Sequence, residues 1–138
     1  MREILPGTEK ENLWLEEQID QFNRNQLSFI AKHVEIPKNY VIKENSNVIA
    51  GIKSCFYLEE VLSIGLIFVA EGYRHKGLGT ALLNKVESEA KSIGGKLAHL
   101  YTFDFQAKDF YLKRGYQVFA ALENCPTGHT CYYLKKEL

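Results

Sequence analysis

The sequence predicts a single α/β domain with a mixed, mostly antiparallel central sheet flanked by helices. Three observations lead there. The 138 residues are 46% hydrophobic and 25% charged, which suits one globular domain able to bury a core without disulfides or a structural metal. From Tyr40 onward, strand-like runs follow one another across short polar turns, close enough for antiparallel pairing. A glycine-bearing turn and an amphipathic helix then interrupt the strands. The resulting order is helix, three strands, helix, strand, helix, two strands, which is not a repeated βαβ unit.

Each element has a local reason. Residues 2–5 read as a short first strand. Thr8 with Glu11 makes a capping box, so a helix begins near Glu9, with Leu15, Ile19 and Phe22 marking its buried face. A second short helix is expected over 26–33. Residues 40–43 and 48–57 are strands joined by a turn containing Asn45, Ser46 and Asn47. Glu59 and Glu60 form the next turn. Residues 61–69 then make the most apolar strand, read as a central one covered on both faces. In the helix after the turn at 71–79, Leu82, Val86, Ala90 and Ile93 share a stripe, with Lys85, Glu87, Glu89 and Lys91 largely away from it. Gly94-Gly95 stops it. A strand over 97–103, a helix over 106–114 ending at Gly115, and strands over 118–122 and 131–134 complete the chain.

Charge and cysteine usage narrow the functional classes. Lys plus Arg and Asp plus Glu are 17 each, so no global field draws nucleic acid or an anionic membrane, and neither is expected as a partner. Cys55, Cys125 and Cys131 are odd in number and widely spaced, which argues against a disulfide framework and fits a reducing compartment. Cys125, Cys131 and His129 lack a fourth ligand at zinc-site spacing, so no metal is expected. The N-terminal residues have no apolar signal core, and the longest apolar run, 64–70, is too short for a bilayer. A cytoplasmic protein is expected.

The informative segment is the strand, turn and helix around Arg74-His75-Lys76-Gly77-Leu78-Gly79. A helix N-terminus offers unpaired N–H groups and partial positive charge. Gly77 and Gly79 remove side chains that would block an approaching anion, while Arg74 and Lys76 add charge. This is a phosphate or pyrophosphate cradle. It is neither a dinucleotide-binding fingerprint, since Arg74 stands at the first glycine position, nor a P-loop, since no Gly-Lys-Ser/Thr ending follows. Taken alone, the turn is also compatible with an ordinary exposed helix start.

In context, these residues resemble the GNAT N-acetyltransferase superfamily. Its Arg/Gln-x-x-Gly-x-Gly/Ala motif is matched by Arg74 to Gly79, and its Phe-Tyr-x-x-x-Gly-Phe/Tyr pattern by Phe110-Tyr111-Leu112-Lys113-Arg114-Gly115-Tyr116. Thr102-Phe103-Asp104-Phe105-Gln106-Ala107 and Pro126-Thr127-Gly128-His129 look similar to a bacterial small-molecule-type subgroup. The resemblance implies that the fourth and fifth strands splay apart and that the cosubstrate acetyl-CoA lies in the V between them. Its pantetheine arm would pair near Ile67, Phe68 and Val69. The amides of His75, Lys76, Gly77, Leu78, Gly79 and Thr80 would hold its pyrophosphate. Gln106, Phe110, Tyr111 and Arg114 would complete the cofactor site.

The implied activity is direct transfer of acetyl from acetyl-CoA to a primary amine, on a small-molecule or peptide acceptor. A backbone N–H near Phe68 or Val69 would polarise the carbonyl, and Tyr111 would donate to the leaving thiolate. Many family members carry a carboxylate on the fourth strand where this chain has Gly65. Glu60 is therefore the candidate base, with Glu59, His99 and His129 as alternatives, or no single base at all. Tyr101 and Thr102 are expected to line the cleft. A coenzyme A-binding sensor without catalysis is the alternative function. Exposed edge strands and Phe119, Tyr132 and Tyr133 suggest a homodimer.

Overall fold

The computed structural model describes residues 1–27 and 35–138. They fall into two compact units, Met1–Val34 and Glu35–Leu138. In the first, helix α1 spans Glu9–Gln26, and the capping box holds: Glu11 N–H donates to Thr8 Oγ1 and Thr8 N–H to a Glu11 carboxylate oxygen. Two expectations are corrected here. Residues 2–5 form no strand; four residues without a paired neighbour among the described residues of this unit gain no ladder hydrogen bonds. No residue of α1 is buried, Leu15, Ile19 and Phe22 included, so the apolar stripe of this helix is exposed rather than a core face. The helix expected over 26–33 lies, beyond Leu27, outside the described residues.

The second unit is built on a seven-stranded sheet. Its strands are β1 (Ile36–Pro37), β2 (Tyr40–Glu44), β3 (Asn47–Tyr57), β4 (Val61–Val69), β5 (Leu97–Phe103), β6 (Gln117–Glu123) and β7 (Thr130–Glu137). The order is β1-β3-β4-β5-β7-β6, with β2 sharing the outer edge of β3. All pairs are antiparallel except β4 with β5. Strand β1 had no sequence signal, being two residues long and half proline. It is held by exchange across the chain: Lys38 N–H donates to the Ser54 carbonyl, and Ser54 Oγ–H to the Lys38 carbonyl.

Helix α2 (Leu78–Ser92) buries Leu82, Leu83, Val86 and Ala90 against the sheet core, which includes Ile52, Leu62, Leu100 and Leu134. Ile93, expected on that stripe, is the exposed C-cap. Glu87, expected outside, is buried instead, accepting from Tyr116 Oη at 2.8 Å and from Lys136 Nζ at 2.7 Å. A carboxylate survives burial when charge and donors meet it this closely. At the helix end, Gly94 adopts φ +99° and Gly95 N–H donates to the Ala90 carbonyl at 2.7 Å.

Helix α3 spans only Lys108–Leu112, shorter than expected over 106–114. Gln106 bonds back to β5, its N–H to the Phe103 carbonyl and its Oε1 to the Phe103 N–H at 2.9 Å. That turn delays the helix.

The functional consequence lies in the parallel pair. Strands β4 and β5 are in register only at Val61–Leu97, Leu62–Ala98 and Ser63–His99, and beyond these they diverge. A register shift in the β3–β4 ladder falls in the same place, skipping Gly65. The far half of β4 is consequently not covered on both faces: Leu66 and Phe68 are 50% and 59% exposed, while Ile67 and Val69 pack against the core.

Candidate functional site

The divergence opens a cleft of about 950 Å³. The far half of β4 forms one wall, the C-terminal end of β5 with residues 105–107 the other, and the α2 N-terminus and α3 close its ends. Of the candidate cofactor residues, Ile67, Phe68, Val69, Arg74, His75, Gly77, Leu78, Gly79, Thr80, Gln106, Phe110, Tyr111 and Arg114 all line it. Lys76 does not; its ammonium lies 5.9 Å from the Tyr73 ring centroid.

The mouth of α2 is an uncapped cradle. Gly77 is the N-cap, at φ +81°, with no side-chain bond to the first turn, and a Cβ placed there would meet nothing within 4 Å. The first intrahelical donor in this turn is Ala81 N–H, to the Gly77 carbonyl. The N–H groups of Leu78, Gly79 and Thr80 thus have no helical acceptor and border the cleft. Gly79 also has a packing role. A Cβ there would stand 3.3 Å from two ring carbons of Phe110, so this glycine lets α2 and α3 touch.

Three arginine and tyrosine side chains fix the surroundings. Arg74 Nε–H donates to the Val69 carbonyl at 2.9 Å, tying the turn to the end of β4. Arg114 donates to Thr80 Oγ1 through Nε and a terminal nitrogen at 2.9 and 2.6 Å, and its guanidinium lies 4.3 Å from the Phe110 ring centroid. It braces the first turn of α2 with its charge beside the cradle. Tyr111 is 6% exposed and sits edge-on to Phe110 and Tyr116, with centroids 5.1 and 5.7 Å away. Burial pushes its phenol up to about 12, because the phenolate cannot be solvated there.

The candidate bases do not gather in the cleft. Glu60 sits ahead of β4, paired with Lys96 Nζ at 2.9 Å, and neither it nor Glu59 is among the lining residues. His99 meets Tyr57 Oη at 2.7 Å, and burial lowers its pKa. His129 meets Asp104 at 2.9 Å. Among the described residues lining the cleft there is no Asp or Glu, whereas Arg74, Lys113 and Arg114 supply positive charge. Phe105 and Lys113 line the cleft as well, beyond the residues expected there. Phe105 lies inside the Thr102–Ala107 motif that carried the resemblance, and this was the available signal. Among the described residues, no group of three or more His, Cys, Asp or Glu side chains could hold a metal ion. None of their helices is long and apolar enough to cross a membrane.

The splayed sheet thus sets an uncapped helix mouth, able to receive an anion, at one end of the cleft. Residues 4–116 match the model of the Acetyltransferase (GNAT) family, and the chain belongs to that family. It is 31% identical over 109 residues to blasticidin-S acetyltransferase of Streptomyces morookaense, covering 78% of this chain and 79% of the relative. It superposes on the crystal structure of an acetyltransferase from Bacillus cereus ATCC 14579 with a TM-score of 0.91 and 31% identity, covering 99% and 98% of the two chains. An aminoglycoside 6'-N-acetyltransferase complexed with coenzyme A shares the fold at a TM-score of 0.63 and 16% identity, covering 98% and 97%.

Proposed function

We propose that this protein transfers an acetyl group from acetyl-CoA directly to a primary amine, with the cleft as its active site. The observation that carries this is the α2 mouth. Three N–H groups without helical acceptors, a side-chain-free Gly77 and the guanidinium of Arg114 converge where the strands part. Such a cradle fits a diphosphate. When bound, acetyl-CoA supplies the activated thioester.

The chain's own residues then have distinct tasks. The Leu78, Gly79 and Thr80 amides and Arg114 hold the diphosphate. The backbone of Ile67, Phe68 and Val69, on a strand edge that β5 has left, pairs with the pantetheine amides. A Phe68 or Val69 N–H polarises the carbonyl. Tyr111 points its hydroxyl at the departing sulfur. Its pKa of about 12 keeps it protonated, but outright transfer to a thiolate of pKa about 8.5 is uphill by some 3.5 units. Tyr111 therefore acts as a hydrogen-bond donor to sulfur, and the net proton comes from the amine nitrogen. Gln106, whose Oε1 is engaged by β5, has its amide N–H groups left to offer.

The lack of a carboxylate among the described lining residues favours a second reading, a coenzyme A sensor without turnover. Steady-state release of free thiol from acetyl-CoA across a panel of amines separates the two. Acetylation of any primary amine, with coenzyme A formed in equal amount, supports the enzyme. Cofactor binding with no turnover across the panel overturns it.

A further inference from the structure

We infer that the acceptor is a planar aromatic amine, neutral at physiological pH, held on an aromatic shelf at the β5 side of the cleft. This rests on the acetyl-transfer function proposed above and specifies its substrate class.

The first observation is an array of rings. Tyr101 and Phe105 both line the cleft and are 58% and 60% exposed. They are held from behind. Phe105 stacks on Phe103 with centroids 5.3 Å apart and planes within 1°. Tyr101 stands edge-on to the same Phe103 at 6.0 Å. The His129 ring meets Phe105 edge-on at 5.0 Å, and Asp104 fixes that ring by accepting from Nδ1 at 2.9 Å while its other oxygen accepts the Thr130 N–H. The rings thus face the cleft in fixed orientations, and Phe68 presents another exposed ring from β4. A flat π system binds such rigid surfaces with little ordering entropy to lose.

The second observation is charge. The described lining residues bring in Arg74, Lys113 and Arg114 and no carboxylate. Asp104 is engaged by His129 and Thr130, and Glu60 pairs with Lys96. An ammonium entering this space would be partly desolvated with no carboxylate among the described lining residues to pair with. Nor would it meet a carboxylate among those residues to take its proton. An arylamine has neither difficulty, because its nitrogen is already neutral. Its lone pair attacks the thioester carbon, the new N–C bond forms and the C–S bond breaks. One nitrogen proton ends on the coenzyme A sulfur.

The test uses 4-methoxyaniline and spermidine as probes on the full chain. Their binding to protein saturated with coenzyme A is measured by calorimetry, and their acetylation by thiol release. The shelf predicts that 4-methoxyaniline binds and is acetylated with kcat/KM at least about tenfold above spermidine. Phe105→Ala, Phe105→Leu and Tyr101→Ala should each weaken its binding about five- to tenfold and leave the Kd of coenzyme A unchanged. Absence of 4-methoxyaniline binding to the loaded protein overturns the inference. So does spermidine performing as well, or variants that shift coenzyme A and amine together or shift neither. Acetylation of spermidine alone would leave the proposed function standing and remove the shelf. Failure to bind coenzyme A at all would remove both.

Discussion

Tyr111→Phe removes one oxygen and keeps the ring between Phe110 and Tyr116. Stability should therefore change by no more than about 1 kcal/mol. The kinetic effect follows from burial. With its pKa at about 12, the phenol is a poor outright acid but a permanent donor, and a hydrogen bond to a charged acceptor contributes about 1.5–3 kcal/mol. The variant should lose about 10- to 150-fold in kcat, with KM for acetyl-CoA within about twofold of the parent. The wild type should also show no alkaline decline in kcat attributable to this group below about pH 11, since its protonated fraction falls only as pH approaches 12. Thiol-release kinetics from pH 7 to 11 on both proteins measure this. A kcat within about threefold of the parent would refute the donor role. So would an equal loss appearing only in KM.

Other consequences can be checked with modest effort. Gly79→Ala places a methyl group 3.3 Å from the Phe110 ring, and with that ring held in place the overpacking should outweigh the gain of about 1 kcal/mol in helix propensity and lower the midpoint of a denaturant titration; an unchanged or raised midpoint would mean that α2 and α3 have room to part. Glu60→Gln breaks an exposed pair with Lys96, so stability should fall by less than about 1 kcal/mol and kcat should stay within about twofold; a loss of tenfold or more would restore Glu60 as the base. The raised pKa of Tyr111 means the folded state holds a proton that the unfolded chain releases near pH 10. Stability should thus be level up to pH 10 and then decline towards pH 12 by about 2–3 kcal/mol, with buried Tyr116 acting in the same direction. Urea titrations of the parent and Tyr111→Phe over that range should diverge accordingly.

Much of this was legible in the residues because the decisive signals are local. The apolar run gave β4 its bounds, the double glycine ended α2, and the capping box started α1. The cleft residues were legible because Gly77 and Arg114 sit in motifs whose spacing reflects one geometric need. What escaped depended on partners distant in sequence. Glu87 looked like a solvated helix acid, and only Lys136 and Tyr116, arriving from other elements, explain its burial. Gly79 reads locally as clearance for an anion, and its close packing on the Phe110 ring adds a second reason that no local signal carries. Glu60 was near the cleft in sequence, but strand direction sets it at the closed end of the β4–β5 pair.

Isothermal titration of the purified chain with coenzyme A and acetyl-CoA tests the central claim most directly, because the Leu78–Thr80 amides, Gly77 and Arg114 either hold a diphosphate or do not. Saturable one-to-one binding with Kd below about 100 μM, weakened at least about tenfold by Arg114→Ala, is the predicted result. No heat at millimolar concentrations of either compound, from a protein shown to be folded, would contradict it.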